Sequence, residues 1–186
     1  MTFLTRCLLV VSMTITTVHT HASTPSDQLI IALKMSNILS LDPAAATGND
    51  IAFVNANLYD TLIELDPDDP THILPAIASE WEVADDAMSI TFTLREDIHF
   101  HSGNALTADD VVWSFDRVLD LNLALATTWK ALGFTQDNIS NLISQVGKYQ
   151  VEVAFPRQLD PKLVMYTLAT SPSAFVIDKQ LVLEHE

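Results

Sequence analysis

Residues 73–118, ILPAIASEWEVADDAMSITFTLREDIHFHSGNALTADDVVWSFDRV, decide how this chain reads. Trp81 to Ala84 is a short extended run, and Asp85, Asp86, Ala87 and Met88 predict a turn after it. Ser89 to Leu94 then alternates, with Ile90, Phe92 and Leu94 on one face and Ser89, Thr91 and Thr93 on the other. That period of two is the mark of a half-buried strand, so the pair predicts a hairpin. His101-Ser102-Gly103-Asn104 is the next turn signal. Thr107, with Asp110 three residues on, predicts a capping box that opens a helix. Asp109 and Asp110 also put negative charge where the helix dipole favours it. Val111, Val112, Phe115, Val118 and Leu119 share one helical face, and Ser114 and Asp116 fall off it. Strands and an amphipathic helix in one stretch place the chain in the α/β class.

On the N-terminal side, Leu62 to Leu65 predicts a strand, and Asp66-Pro67-Asp68-Asp69-Pro70 a rigid acidic turn. A calcium loop there is disfavoured, because two prolines constrain it and no glycine or spaced glutamate follows. Asn49 or Asp50 can cap a helix whose stripe is Ile51, Val54, Leu58 and Leu62. Gln28 to Leu33 (QLIIAL) predicts a buried strand, closed by a turn at Leu41-Asp42-Pro43. Met1 to Ala22 reads as a secretory signal peptide. Arg6 is its positive region, Cys7 to Val18 its apolar run, and Thr20-His21-Ala22 its cleavage site. The expected domains are therefore 1–22, signal peptide, and 23–186, the exported part.

On the C-terminal side, Leu119 to Phe134 mixes helix formers around Trp129. Ile139 to Val146 and Gln150 to Phe155 predict a hairpin through Gly147-Lys148. Asp160-Pro161 starts a helix, with proline at the first turn where its missing amide costs nothing. Leu163, Val164 and Leu168 continue its apolar stripe. Ser171-Pro172-Ser173 breaks it, Ala174 to Ile177 predicts a short strand, and Asp178 to His185 another helix.

The formal charge of −15, from 24 acidic and 9 basic residues, excludes nucleic acid as a partner, since that requires basic patches. Cys7 is the single cysteine and lies in the leader, so the exported part can hold neither a disulfide nor a cysteine metal site. The four glycines are isolated and form no phosphate-cradling loop. There is no nucleophile elbow, no HExxH and no carboxylate pair at a set spacing, so nothing points to an enzyme. His99 and His101 would share one side of a strand and could hold zinc with a carboxylate.

Taken in order, several pieces resemble the family 5 extracellular solute-binding proteins. They are Pro75, Ala78 and Trp81, then Leu94-Arg95, Phe100-His101-Ser102-Gly103 and Thr107 to Phe115. Leu41-Asp42-Pro43 after a strand, and the segment Leu58 to Leu62 (LYDTL), extend the likeness. These are the oligopeptide, dipeptide and nickel-type periplasmic receptors of ABC importers. The resemblance implies an α/β, periplasmic binding protein type II architecture, present in part: the start of lobe I plus its small extra subdomain. Family members are much longer and close two lobes over the solute. A peptide or other small solute is then the expected ligand, an ABC permease in the inner membrane the expected partner, and a periplasmic monomer the expected state. No cofactor and no metal are expected. By position in the family, Met35, Ser36, Asn37 and Ile38 line the cleft, and Trp129 offers a flat ring to the ligand across a groove. An ordinary loop and simple core packing are the competing expectations. A non-binding fragment or protein-interaction module, and a nickel-type metal receptor, are the alternative functions. A smaller departure is Ala87, where the family usually has glycine in the hairpin turn.

Overall fold

The computed structural model describes residues 25–32, 36, 38–45 and 47–185. The expected signal peptide, Met35 and Asn37 lie outside these. The chain divides into two units between Leu33 and Lys34. In the first unit, Gln28 to Ala32 forms no strand, and Leu29 is 84% exposed. The apolar run predicted a buried strand. A strand holds only when a neighbour pairs its amides, and this run is part of neither sheet.

The second unit is built on the hairpin that the sequence marks. Strand β3 (Ala78–Val83) pairs antiparallel with β4 (Ser89–Leu94), with Trp81 opposite Phe92. Ahead of them come α1 (Asn49–Asn55), β1 (Ile63–Leu65) and β2 (Ile73–Pro75). After them come α2 (Ala108–Asp120), α3 (Ala126–Leu132), α4 (Ile139–Leu142), β5 (Ile143–Gly147), β6 (Gln150–Ala154), α5 (Pro161–Thr170), a 3-10 turn at Pro172–Ala174, and α6 (Lys179–Leu183). The main sheet runs β3-β4-β6-β5, all antiparallel, so β4 and β6 join two hairpins. β1 and β2 form a separate two-stranded sheet.

The alternation of β4 sends Ile90, Phe92 and Leu94 into the core, with Val151 and Val153 of β6 beside them. Helix α2 lies against β5 and β6 and buries Val111, Phe115, Val118 and Leu119. Its capping box forms. Asp110 Oδ2 accepts from the Thr107 amide at 2.9 Å and from its hydroxyl at 2.9 Å. The turn between β3 and β4 keeps a left-handed residue without glycine, with Ala87 at φ 55°.

Several boundaries differ from the sequence reading. Residues 139–142 turn once as helix before β5 begins. The Asn138 side chain accepts from the Thr135 amide at 2.8 Å and donates to Gly133 O at 3.2 Å, which holds the chain in a turn. No strand forms at Ala174–Ile177. The Val176 amide reaches Asp60 O at 3.1 Å, but the Ile177 amide goes to the Ser114 hydroxyl at 3.0 Å, so no ladder builds. Ser114, expected off the buried face, is 2% exposed, and its hydroxyl also donates to Asp110 O at 2.6 Å. In α5, Val164, Met165 and Leu168 are buried and Leu163 is exposed.

Candidate functional site

Some of the residues that carried the family resemblance, Asp42-Pro43, Leu58 to Asp60 and Phe100 to Ser102, meet around one concavity of about 360 Å³ in the second unit. Three separated motifs build its charged part. The Asp42 turn is held by its own side chain, which accepts from the Ala44 amide at 2.9 Å. From α2, Arg117 grips the same carboxylate with both terminal nitrogens, Nη1 at 3.4 Å to Oδ1 and Nη2 to Oδ2. Tyr59, from the LYDTL segment, donates its hydroxyl to Leu41 O at 3.1 Å. The Asp42 and Arg117 side chains are 23% and 12% exposed. Burial pushes the Asp42 carboxyl up, but the bonds from Arg117 and Ala44 outweigh it, and its pKa lies below the ordinary 3.8. Burial and the Asp42 charge raise Tyr59. Arg117 also sits 5.7 Å from the centre of the Trp113 ring, and its buried Nε has no partner.

A second cluster ties the His-Ser-Gly-Asn turn to the chain's last helix. Asp178 accepts from the Ser102 hydroxyl at 2.5 Å, from Asn104 Nδ2 at 3.0 Å and from the Leu181 amide at 3.0 Å. It thereby caps α6. Burial would raise its pKa, but these donors lower it below 3.8. Asp110 adds a bond from the Lys179 amide at 3.3 Å, so one carboxylate serves the starts of both α2 and α6. Beyond the two clusters the lining includes buried Ile77, Leu106 and Val176, together with Asp60, His99 and His101.

The expected solute contacts fare unequally. Ser36 is exposed and Ile38 half-buried, both just ahead of the anchored Asp42, and Met35 and Asn37 lie outside the described residues. Trp129 is 1% exposed. Its ring packs 4.9 Å from Phe115 and 5.4 Å from Phe134, and its Nε1–H reaches Ser173 O at 3.3 Å. It presents no open face to a solute, and core packing describes it. Ser36, Ile38 and Trp129 do not line the concavity. His99 and His101 do, but among the described residues no three His, Cys, Asp or Glu side chains converge as metal ligands. The sequence reading missed the Asp42–Arg117 pair. Its signal was an arginine within the apolar-rich start of α2's last turn, in a chain with few cations.

Comparison with known proteins matches residues 72–182 to a family model described as Bacterial extracellular solute-binding proteins, family 5 Middle. The probable D,D-dipeptide-binding periplasmic protein DdpA of Escherichia coli is 30% identical over 89% of this chain and 30% of its own. The heme-binding protein A of Haemophilus influenzae is 34% identical over 57% of this chain and 20% of its own. Among solved structures, Listeria monocytogenes OppA bound to peptide superposes with a TM-score of 0.66 at 25% identity, over 79% of this chain and 30% of that one. The chain thus spans less than a third of the length of these relatives, and its mixed α/β fold is a part of the type II periplasmic binding protein architecture. By the span of the family match and by its relatives, this chain belongs to the bacterial extracellular solute-binding proteins of family 5.

Proposed function

We infer that the chain is the N-terminal part of the substrate-binding component of an ABC importer. It takes a peptide or similar small solute in the periplasm and presents it to an inner-membrane permease. The observation that carries this reading is the unbroken family match over residues 72–182, together with dipeptide-binding relatives. Met35, Ser36, Asn37 and Ile38 are the proposed solute contacts. In sequence they precede the turn that Arg117 and Tyr59 pin in place. Trp129 supports the core and is not carried forward as a contact. Export through residues 1–22 fits the same reading, and no described helix is long and apolar enough to cross a membrane.

Isothermal titration of the exported chain, and of any longer chain that contains it, tests the solute class. Heat with di- or tripeptides at micromolar concentration is the expected result. Heat with heme alone moves the solute class, and a folded protein giving neither overturns the reading. Mass spectrometry of the periplasmic protein should find Ser23 as its first residue.

A further inference from the structure

On the importer reading, which puts the solute contacts in the loop ahead of Asp42, we propose that Arg117 is a positioning residue for that loop. It acts through Asp42 and fixes where Ser36 and Ile38 stand. Its Nη1 lies 3.4 Å from Asp42 Oδ1, its Nη2 bonds Oδ2, and its buried Nε has no partner. Asp42 is therefore its one hydrogen-bond acceptor among the described residues. The turn around Asp42 is tied at several further points. Leu41 O accepts from the Tyr59 hydroxyl at 3.1 Å, and Ala44 O from the Leu125 amide, just ahead of α3, at 3.0 Å. Within the turn, the Asp42 amide donates to Ser40 Oγ at 3.0 Å and the Ala44 amide to Asp42 Oδ1 at 2.9 Å. Only the Arg117 tie joins two charges, and a two-pronged, charge-assisted bond is the strong kind.

Between this turn and the proposed contacts, packing holds little. Ile38 and Ser40 are half-buried, Leu39 is 89% exposed and Leu41 53%. Full burial begins only at Pro43 and Ala44, so Asp42 stands where the loop meets the core. A stretch that buries few side chains has little position of its own and takes that of its anchored end. Ile38 stands four positions before Asp42, about 14 Å of chain at most, so movement at Asp42 is carried to it directly. A loop left to wander must be ordered when a solute binds, and that entropy is lost from affinity. Helix α2 keeps its place without Arg117, because Val111, Phe115, Val118 and Leu119 bury its other face. Loss of Arg117 thus frees the loop and not the helix.

Spin labels test the position of the loop without a solute. In a Cys7→Ser background, Ile38→Cys and the exposed Glu82→Cys of β3 carry the labels, so their separation reads the loop against the main sheet. The width of the distance distribution should at least double in Arg117→Leu and grow less in Arg117→Lys. Ser102→Ala, which loosens α6 instead, should leave it as it was. An unaltered width in folded Arg117→Leu overturns the proposal. Should Arg117→Leu fail to fold, Asp42→Asn removes the same tie from the other side and is read in the same way. Calorimetric titration of the unlabelled variants with trialanine is the second arm. The dissociation constant should rise at least tenfold in Arg117→Leu and less than twofold in Ser102→Ala. Equal losses in the two variants make Arg117 a general stabiliser and overturn the proposal. If the unsubstituted protein gives no heat with peptides, the importer reading falls, and the label distances alone decide whether Arg117 sets the loop.

Discussion

Arg117 is one of nine cations in a chain of 24 acidic residues, and it is placed where two distant segments must be joined. Replacing Asp42 with Asn leaves a largely buried guanidinium facing a neutral amide. That should cost about 1–3 kcal/mol at neutral pH, read from the denaturant midpoint. The same carboxylate sets an acid limb. Asp42 and Asp178 both have folded pKa values below 3.8, so the unfolded chain holds their protons more tightly. Their contribution is complete above the unfolded value and is lost as pH falls through the lowered folded values. Thermal stability should therefore drop below about pH 4, and Asp42→Asn should flatten that drop. Asp116 works in the opposite direction, because burial and then Asp120 raise it, so the comparison is made variant by variant. Ala87 is a separate case. Its φ of 55° is a conformation that an L residue adopts at a cost of roughly 1–2 kcal/mol. Ala87→Gly should raise stability by about 0.5–1 kcal/mol, net of glycine's greater freedom when unfolded. An unchanged melting temperature would refute the strain.

Among the elements, α6 depends most on groups far away in sequence. It has five residues, buries none of them, and starts at Asp178, which Ser102 and Asn104 clasp. Ser102→Ala and Asp178→Ala should each cost about 1 kcal/mol, the usual worth of a cap. Amide exchange at Lys179–Leu183 should speed up while β4 and β6 stay protected. This clasp also explains what the sequence could and could not tell. The hairpin and α2 were legible because their signals are local: an alternation, a capping box, an apolar face. Ser102, Gly103 and Asn104 were legible as a turn, but not as the anchor of a helix more than seventy positions on. Ser114 was misplaced for the same reason, since periodicity ranks a hydroxyl as surface and cannot see the Ile177 amide that it satisfies. Residues 174–177 and 28–33 have strand composition, and composition does not reveal whether a neighbour is there to pair with.

At the scale of the whole molecule, charge dominates. A net −15 spread over 186 residues repels itself in the compact state. Raising sodium chloride from about 20 to about 200 mM shortens the Debye length to below about 10 Å. The melting temperature in calorimetry should rise with it. A fall would show that the Asp42–Arg117 and Asp109–Lys179 pairs outweigh the general repulsion. The family and the fold were both visible from ordered motifs. The expected groove-lining tryptophan proved to be core, and the concavity lies among residues read mainly as turns and helix ends.

The chain has three tryptophans, and Trp129 alone among them is sealed from water. Wedged between Phe115 of α2 and Phe134, with its indole N–H on Ser173, it touches three segments at once. Its emission should be blue-shifted and beyond the reach of aqueous quenchers such as iodide. Trp81 and Trp113, only partly covered, should be quenched readily. The protein therefore has a built-in optical gauge: a red shift in the iodide-resistant fraction would report the loosening of these three segments, without any added dye.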